Sequence, residues 1–257
     1  MVTPLSDGMI AIMQKQMFGE KQIAGRKILI HSKEGLGKSV LACRLGKHNL
    51  IITDEDGYTA LSNDSVRPII GHWRAVEFTQ WADVRHYLQA VEAQQLQCDC
   101  GEVFDNVILD TVTGMIAITI QQIVAAGITT DKGKISSETA GRPDYLVSRE
   151  RLVPVMSQIA LMKNASVTML MHQKAGKTPD EQIAPDAHNA AWEVIRKYTS
   201  VIAWLTFNAP GHVGERMLQV RPNGNGVAVK TRYDFPETFV SDDEFVEHVE
   251  KWKSQAS

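Results

Sequence analysis

The chain has only three cysteines among its 257 residues, which excludes a disulfide scaffold and is typical of a reducing compartment. It also lacks an excess of basic charge. The formal net charge of −3 excludes a broadly basic nucleic-acid binder but leaves room for local basic loops. No apolar run reaches the ~18 residues of a membrane span, and residues 1–7 lack the features of a secretory signal. We therefore expect a cytoplasmic protein with no membrane partner.

What the chain does have is an alternation of apolar strand-like segments with amphipathic helix-like segments, which indicates an α/β fold with a mostly parallel sheet. Strands are predicted at 27–31, 49–53, 73–78, 103–109, 166–171 and 201–207, and a hairpin pairs 216–220 with 227–233 around 222–226. Helices are predicted at 6–18, 38–45, 81–97, 115–126, 145–163 and 242–252. We expect a single domain over 1–257, with an N-terminal helical extension (1–24) and a C-terminal helical tail (236–257).

A glycine-rich segment follows the first predicted strand and opens the next helix, the setting that a phosphate-binding P-loop requires. Its backbone N–H groups and the start of the helix are expected to bind the phosphates of a nucleotide. Lys38 would reach the β- and γ-phosphates, and the Ser39 hydroxyl would ligate Mg²⁺. The pattern's first position is Ser32 rather than glycine. The predicted nucleotide-binding residues are Ser32, Lys33, Glu34, Gly35, Leu36, Gly37, Lys38, Ser39 and Val40.

Hydrolysis needs acidic groups, and two apolar strands end in them. Asp110 follows an apolar run at the edge where ligands bind in parallel sheets, so we predict that it holds Mg²⁺ together with Ser39. The alternative is a surface carboxylate that caps the next turn. Three successive acids, 54–56, end the second strand, and we choose Glu55 to orient and polarise the attacking water. A solvated acidic turn is the alternative there.

A polar pair, His172 and Gln173, ends the predicted strand 166–171. Such a pair could contact the γ-phosphate and relay its state to the loop that follows. The alternative is a strand-end histidine whose hydrogen bonds are already satisfied.

The order of these parts resembles the RecA-like recombinase and ring-helicase core over residues 25–235. It is most similar to short, core-only phage RecA-like ATPases linked to single-strand annealing and recombination. In that family an acid–Glu pair ends the strand after the P-loop helix, and 54–55 stand there. The family's sensor strand ends in a polar residue, often Gln, Asn or His, and His172 and Gln173 match. The family's Lys-x-Arg element appears as Lys230 and Arg232, which in relatives reaches the nucleotide of the neighbouring subunit. Unlike larger relatives, the protein is expected to have no separate N-terminal oligomerisation or DNA-binding domain.

The resemblance implies a RecA-like P-loop NTPase core in which the His172 strand lies between the P-loop strand and the Asp110 strand. It implies ATP and Mg²⁺ as cofactors, single-stranded DNA as a partner, and a homo-oligomer with active sites between subunits. We expect that oligomer to be either a ring, with six subunits as the expected number, or a filament. Other recombination or single-strand binding proteins are further expected partners, and for a phage protein the compartment would be the host cytoplasm.

Two polar loops, 127–143 and 174–190, leave the same edge of the predicted sheet. Their cations could pair with the phosphates of a DNA backbone, and the alternative is a pair of solvated flexible loops. The cations are Lys132, Lys134, Arg142, Lys174 and Lys177.

Cys98 and Cys100 resemble half of a zinc site, but no second pair of ligands lies at a useful spacing in the sequence. Whether they bind a metal is left open.

Three functions are compatible with these features. The first is a DNA-stimulated ATPase acting in recombination or strand annealing. The second is a ring-shaped helicase or DNA-packaging motor. The third is a DNA-binding module in which ATP drives assembly and hydrolysis is negligible.

Overall fold

The computed structural model describes residues 26–54, 56–127, 129–130, 133–134, 142–174, 183–224 and 226–254. The predicted helix 6–18 lies outside these residues. The elements are, in chain order, β1 (Lys27–Ser32), α1 (Lys38–Cys43), β2 (His48–Thr53), β3 (His72–Glu77), α2 (Trp81–Glu92), β4 (Asn106–Asp110), α3 (Val112–Ala125), β5 (Thr129–Thr130), β6 (Gly133–Lys134), α4 (Arg142–Leu161), β7 (Ser166–Lys174), β8 (Ala184–Pro185), α5 (Asn189–Tyr198), β9 (Val201–Ala209), β10 (His212–Gln219), β11 (Lys230–Thr231), β12 (Phe239–Ser241) and α6 (Asp242–Ser254).

Within the described residues, the main sheet follows the order β12-β10-β9-β1-β7-β4-β2-β3. The pairs from β9 through β3 are all parallel, whereas β10, β11 and β12 pair antiparallel. The strand that ends in the predicted sensor pair, β7, lies between β1 and β4, so the predicted strand order is confirmed. The mixed α/β fold with a mostly parallel central sheet is confirmed as well.

Helices cover both faces of the sheet, which is why its central strands are almost wholly apolar. On one face, α2, α3, α4 and α5 contribute to a single buried hydrophobic cluster. On the other face, α1 and α6 pack over a second cluster that includes Phe235 and Phe245. Within the described ranges, no helix is both long enough and apolar enough to cross a membrane.

The predicted hairpin is wrong in its pairing. β10 pairs with β9, not with 227–233, and the chain turns between them at Pro210 and Gly211. Gly211 has a φ of 83°, which glycine adopts without strain. The short strand β11 pairs with β9 as well, so β9 is the common partner of both segments.

Two further predictions need correction. The last two residues of the second polar loop, 189–190, are helical, because α5 begins at Asn189. The apolar residues Ala191, Val194 and Ile195 of this helix are buried. Part of the first polar loop forms a two-stranded antiparallel pair, β5 with β6.

Candidate nucleotide-binding site

The predicted P-loop connects β1 to α1 at the carboxyl edge of the parallel strands. Gly35 and Gly37 have φ values of 74° and 77°, a left-handed conformation that favours glycine. Gly37 is the residue that precedes the first turn of α1. Leu36 and Val40 anchor the loop by packing against the hydrophobic cluster beneath it. The segment therefore has the turn geometry that a phosphate cradle needs.

Lys38 is the cation of this loop, and only 7% of its surface is exposed. Its ammonium donates to the Ser32 hydroxyl (3.2 Å) and to the Lys33 carbonyl oxygen (3.1 Å). A buried ammonium is costly unless hydrogen bonds compensate it, so these contacts hold the charge inside the loop. The serine that replaces the usual first glycine thus supplies a partner for the P-loop lysine.

Ser39 and Asp110, the two residues predicted to hold Mg²⁺, meet at the base of the loop. The Ser39 hydroxyl donates to the Asp110 carboxylate at 2.6 Å. Asp110 is the last residue of β4 and is 7% exposed. A hydroxyl and a carboxylate are hard oxygen donors, the kind of ligand that Mg²⁺ takes, so this pair fits such an ion chemically.

Asp54, the first of the three successive acids, is hydrogen-bonded to the backbone at the start of α3. Its carboxylate accepts a hydrogen bond from the Thr111 amide at 2.6 Å. It also lies so close to Gly114 that a Cβ at that position would be 1.4 Å from the Asp54 Oδ2 atom. The absence of a side chain at Gly114 is therefore what admits this carboxylate. Glu55, the predicted water-orienting residue, lies outside the described residues.

The polar pair that ends β7 lies beside the P-loop. The His172 Nδ1 atom is 3.8 Å from the Glu34 carboxylate. The His172 amide donates to the Thr113 hydroxyl (3.1 Å), which in turn donates to the Asp186 carbonyl oxygen (3.1 Å). The end of β7 is thus linked through Thr113 of α3 to Asp186, within the second polar loop.

Gln173 makes a different contact from its neighbour, because its side-chain carbonyl accepts a hydrogen bond from the Trp204 indole at 2.9 Å. Trp204 lies on β9, directly opposite His31 of β1. Gln173 thus joins the end of β7 to β9, one strand beyond the P-loop strand.

Behind the P-loop, His31 is fully buried, and its Nε2 atom lies 2.9 Å from the Ala228 carbonyl oxygen. Burial lowers the pKa of His31 to about 4, the Ala228 hydrogen bond opposes that shift, and the nearby Lys38 charge adds to it. His31 is therefore neutral at pH 7, and neutral His31 adds no further positive charge to the loop.

The structure adds one residue that sequence reasoning missed. Arg216, on β10, donates to the Gly37 carbonyl oxygen at 3.2 Å and pairs with Asp242 at 2.8 Å. Asp242 begins α6 and is also 4.0 Å from Arg44, at the end of α1. Burial raises the pKa of Asp242, and the two arginines oppose that shift. No local pattern marks Arg216, since 179 residues separate it from Gly37.

The predicted Lys-x-Arg pair lies beside the first residues of β9, which pair with the start of β1, whereas the P-loop follows the end of β1. The Lys230 ammonium donates to the Arg196 and Thr199 carbonyl oxygens, both at 2.7 Å, and Arg232 reaches the Lys197 carbonyl oxygen at 3.4 Å. Both cations therefore meet the carboxyl end of α5, where positive charge is favourable. Burial lowers the pKa of Lys230, and the charges of Arg232 and Arg196 lower it further.

Of the predicted DNA-loop cations, Lys132 and Lys177 lie outside the described residues, and only the backbone is described at Lys134 and Arg142. Lys174 is exposed at the end of β7. It lines a groove of about 790 Å³ together with Thr113 and Asp186.

The strand order, the glycine-rich turn and the Ser39–Asp110 pair define a P-loop nucleotide-binding domain. A family model described as an AAA domain matches residues 24–233, and the chain belongs to that family. Domains of this family bind nucleotides and are generally ATPases. No curated protein matches the chain.

Proposed function

We propose that the protein hydrolyses ATP with Mg²⁺ at the P-loop and uses this cycle to act on single-stranded DNA in recombination or strand annealing of the phage type. The observation that carries the ATPase part is the 2.6 Å hydrogen bond between Ser39 and Asp110 beneath the loop. Ser39 belongs to the loop that would bind the phosphates, and this hydrogen bond holds Asp110, the second oxygen donor for Mg²⁺, beside it.

The phosphates would be held by the backbone amides of residues 33–40 and by Lys38. In the structure the lysine ammonium is bound to Ser32 and to the Lys33 carbonyl, so phosphate oxygens would replace neutral partners. Anionic acceptors make stronger hydrogen bonds with an ammonium than neutral ones do, which favours that exchange. Ser39 and Asp110 would hold Mg²⁺, whose charge offsets the negative charge of the phosphates.

We assign the orientation of the attacking water to Glu55. The neighbouring Asp54 carboxylate already accepts the Thr111 amide and packs on Gly114, so it is a positioning group rather than a free base. An anchored Asp54 would in turn fix the backbone from which Glu55 projects. A base or water-positioning group of this kind contributes roughly 10²–10⁴-fold in rate.

The link from nucleotide to DNA would pass through the end of β7. His172 lies beside Glu34 of the P-loop, and its amide bonds to Thr113, which bonds to Asp186. A shift of the P-loop on phosphate binding would therefore be transmitted to Asp186, within the second polar loop. Single-stranded DNA would bind along the two loops, with Lys174 and the groove that it lines as one part of the path.

The active form would be a homo-oligomer, a ring or a filament, in which Lys230 and Arg232 meet the nucleotide held by the next subunit. This part is supported by the resemblance to RecA-like proteins and by the position of both cations, which lie together at the carboxyl end of α5. Because both already bond to the end of α5, such a role would use them in an anchored position.

A steady-state ATPase titration with single-stranded and double-stranded DNA tests the proposal. We expect turnover that single-stranded DNA stimulates and that Asp110→Asn abolishes. Negligible turnover under all conditions, with ATP still needed for DNA binding, would favour the ATP-gated module. Directional unwinding of a forked duplex would favour the ring-shaped motor.

A further inference from the structure

Far from the P-loop, the fold brings together residues that are distant in the sequence. His48 and His72 are the first residues of β2 and β3 and lie directly opposite each other in the parallel register. Their rings stack with centroids 5.6 Å apart and planes 16° apart. One ligand atom from each, together with the Cys100 sulfur, all lie within 4.8 Å of one another.

Cys98 lies outside that group of three, but its sulfur is bonded to that of Cys100 in a tight turn and so lies next to it. The Cys98 amide donates to the Glu102 carbonyl oxygen (2.8 Å), and the Gly101 amide donates to the Cys98 carbonyl oxygen (2.9 Å). The Cys100 amide lies 3.3 Å from the Cys98 sulfur, a contact that would stabilise a thiolate there. One intervening residue is fewer than the two to four usual in zinc sites, but this turn nonetheless keeps the two sulfurs next to each other.

We propose that Cys98, Cys100, His48 and His72 form a structural zinc site. Two thiolates and two imidazoles are a donor set that selects Zn²⁺ in tetrahedral geometry. Metal–ligand bonds of about 2.0–2.3 Å require ligand atoms roughly 3.3–3.8 Å apart, so the His48, His72 and Cys100 atoms have only to close by about 1 Å. The two sulfurs move apart once the bond between them is reduced. His72 and Cys100 are exposed, which leaves an open path for the ion and room for that adjustment.

The backbone around the ligands is already fixed. The His72 amide donates to the Lys47 carbonyl oxygen at 2.8 Å, and the His48 amide donates to the Asp105 carboxylate at 2.9 Å. Anchored ligands lose little conformational freedom when a metal binds, which favours affinity.

Zinc binding requires the reduced form of the turn. Two molecules of an external thiol reduce the Cys98–Cys100 disulfide, which yields two protein thiols and one external disulfide. Zinc binding then displaces the two thiol protons into solvent. The disulfide is accordingly the oxidised, metal-free form of the same site.

The role of this site follows from its place. β3 is the edge strand of the sheet, and only β2 pairs with it among the described residues. Zinc would join the starts of both strands to the turn that precedes β4. Because β2 spans six residues, the metal would lie about 17 Å from the edge that carries the P-loop. We therefore expect zinc to stabilise the fold without entering the nucleotide site.

Cobalt substitution of the full-length protein tests the proposal. The reduced, metal-free chain should bind one Co²⁺, with visible bands of tetrahedral intensity and a near-ultraviolet band from thiolate charge transfer. Zn²⁺ should displace the Co²⁺ and raise the thermal unfolding midpoint. Cys98→Ser and Cys100→Ser should each weaken the charge-transfer band, and His48→Gln and His72→Gln should each lower zinc affinity by at least about 100-fold.

Matched controls are His86→Gln, an exposed histidine of α2, and Cys43→Ala, the buried free cysteine of α1. Both should keep one tightly bound zinc. Because His72 is exposed, His72→Gln is expected to fold, and far-ultraviolet circular dichroism checks this. A reduced wild-type protein without the thiolate band, affinity unchanged in both histidine variants, or a disulfide that resists a thiol reductant would each overturn the assignment.

Discussion

The guanidinium of Arg216 lies against Gly37, on the face of the P-loop that a side chain at position 37 would occupy. A Cβ there would be 2.6 Å from the Arg216 Nη1 atom. The same guanidinium pairs with Asp242 at 2.8 Å, so the P-loop is joined to the first residue of α6. Since Asp242 is largely buried, removing Arg216 leaves its carboxylate with only the more distant Arg44, at 4.0 Å, to compensate it.

We predict that Arg216→Ala lowers the free energy of unfolding by about 1–3 kcal/mol, a range reduced because the pair is partly exposed. The matched control is Arg221→Ala, which removes an exposed arginine paired with the exposed Asp234. That variant should cost at most about 1 kcal/mol. Chemical denaturation of both variants measures this. Equal losses in the free energy of unfolding would show that the Arg216–Asp242 pair stabilises the protein no more than an exposed ion pair does.

A second prediction concerns the contact between Gly114 and Asp54. In a helix, Gly→Ala is ordinarily stabilising by roughly 1 kcal/mol. Gly114→Ala should instead destabilise the protein by about 1–3 kcal/mol, because the new methyl group would overlap the Asp54 carboxylate. It should also lower ATP turnover, since Asp54 is displaced.

The Asp54→Ala background supplies the control for that prediction. Without the carboxylate there is no overlap, so adding Gly114→Ala should become neutral or stabilising. A double-mutant cycle from denaturation curves measures this reversal of sign. Additive effects would mean that the cost arises elsewhere in α3.

The segments that could be predicted best from the sequence are the buried strands that end in residues of the candidate site. The strands β1, β4 and β7 are buried on both faces, so their apolar runs stand out, and Asp110 ends one of them. The P-loop is a continuous segment of the chain, so its residues could be assigned from the sequence alone. Ser39 and Asp110 were each assigned to Mg²⁺ from the sequence, but the hydrogen bond between them became visible only in the structure.

The features that sequence reasoning missed depend on long-range pairing. α5 carries apolar residues at helical spacing, 191, 194, 195 and 198, but follows a polar segment and begins after His188, an unusual N-cap. The partner of β10 could not be chosen by local pattern, because two turn signals, 210–211 and 222–226, compete. The approach of His48 and His72 to Cys100 depends on parallel register, which has no local signal.

A third prediction follows from the buried His31. Its pKa of about 4 in the folded protein lies below the ordinary value of 6.5, so the unfolded chain takes up a proton first as the pH falls. The free energy of unfolding should therefore decrease between about pH 6.5 and pH 4, by roughly 3 kcal/mol in total from this residue. His31→Gln should remove that part of the pH dependence while leaving a side-chain donor for Ala228.

Denaturation curves across this pH range measure the effect. His86→Gln is the control, because His86 is exposed and its loss should leave the slope unchanged. If His31→Gln retains the wild-type slope, other groups govern the acid sensitivity.

A fourth prediction concerns Lys38. Lys38→Ala should abolish productive ATP binding, because it removes the ammonium that would offset the charge of the phosphates inside the loop. The folded state should survive, since removing a buried ammonium also removes its desolvation cost. Equilibrium binding of a fluorescent ATP analogue and steady-state turnover measure this, and the exposed Lys47→Ala is the control. Near-wild-type turnover in folded Lys38→Ala protein would contradict the P-loop assignment.

The last prediction separates an anchoring role of the Lys-x-Arg pair from a catalytic role in the neighbouring subunit. Lys230 makes two hydrogen bonds to the end of α5, so Lys230→Ala should cost stability, about 1–3 kcal/mol, whatever its role in catalysis. Arg232 makes one long contact at 3.4 Å, so Arg232→Ala should cost little stability. Arg232 is therefore the residue at which the two roles give different results.

If Arg232 acts in trans, Arg232→Ala should be folded but should lose roughly 10³–10⁵-fold in turnover, as removal of an arginine finger does. Lys38→Ala should be inactive as well, because its own P-loop fails. In a mixture of the two variants, some interfaces combine the intact P-loop of one subunit with the intact Arg232 of the next, so part of the activity should return. Turnover measured across mixing ratios, with subunit exchange verified by fluorescence energy transfer, tests this. Exchange without recovered activity, or full activity of Arg232→Ala alone, would leave the pair with only its anchoring role at the end of α5.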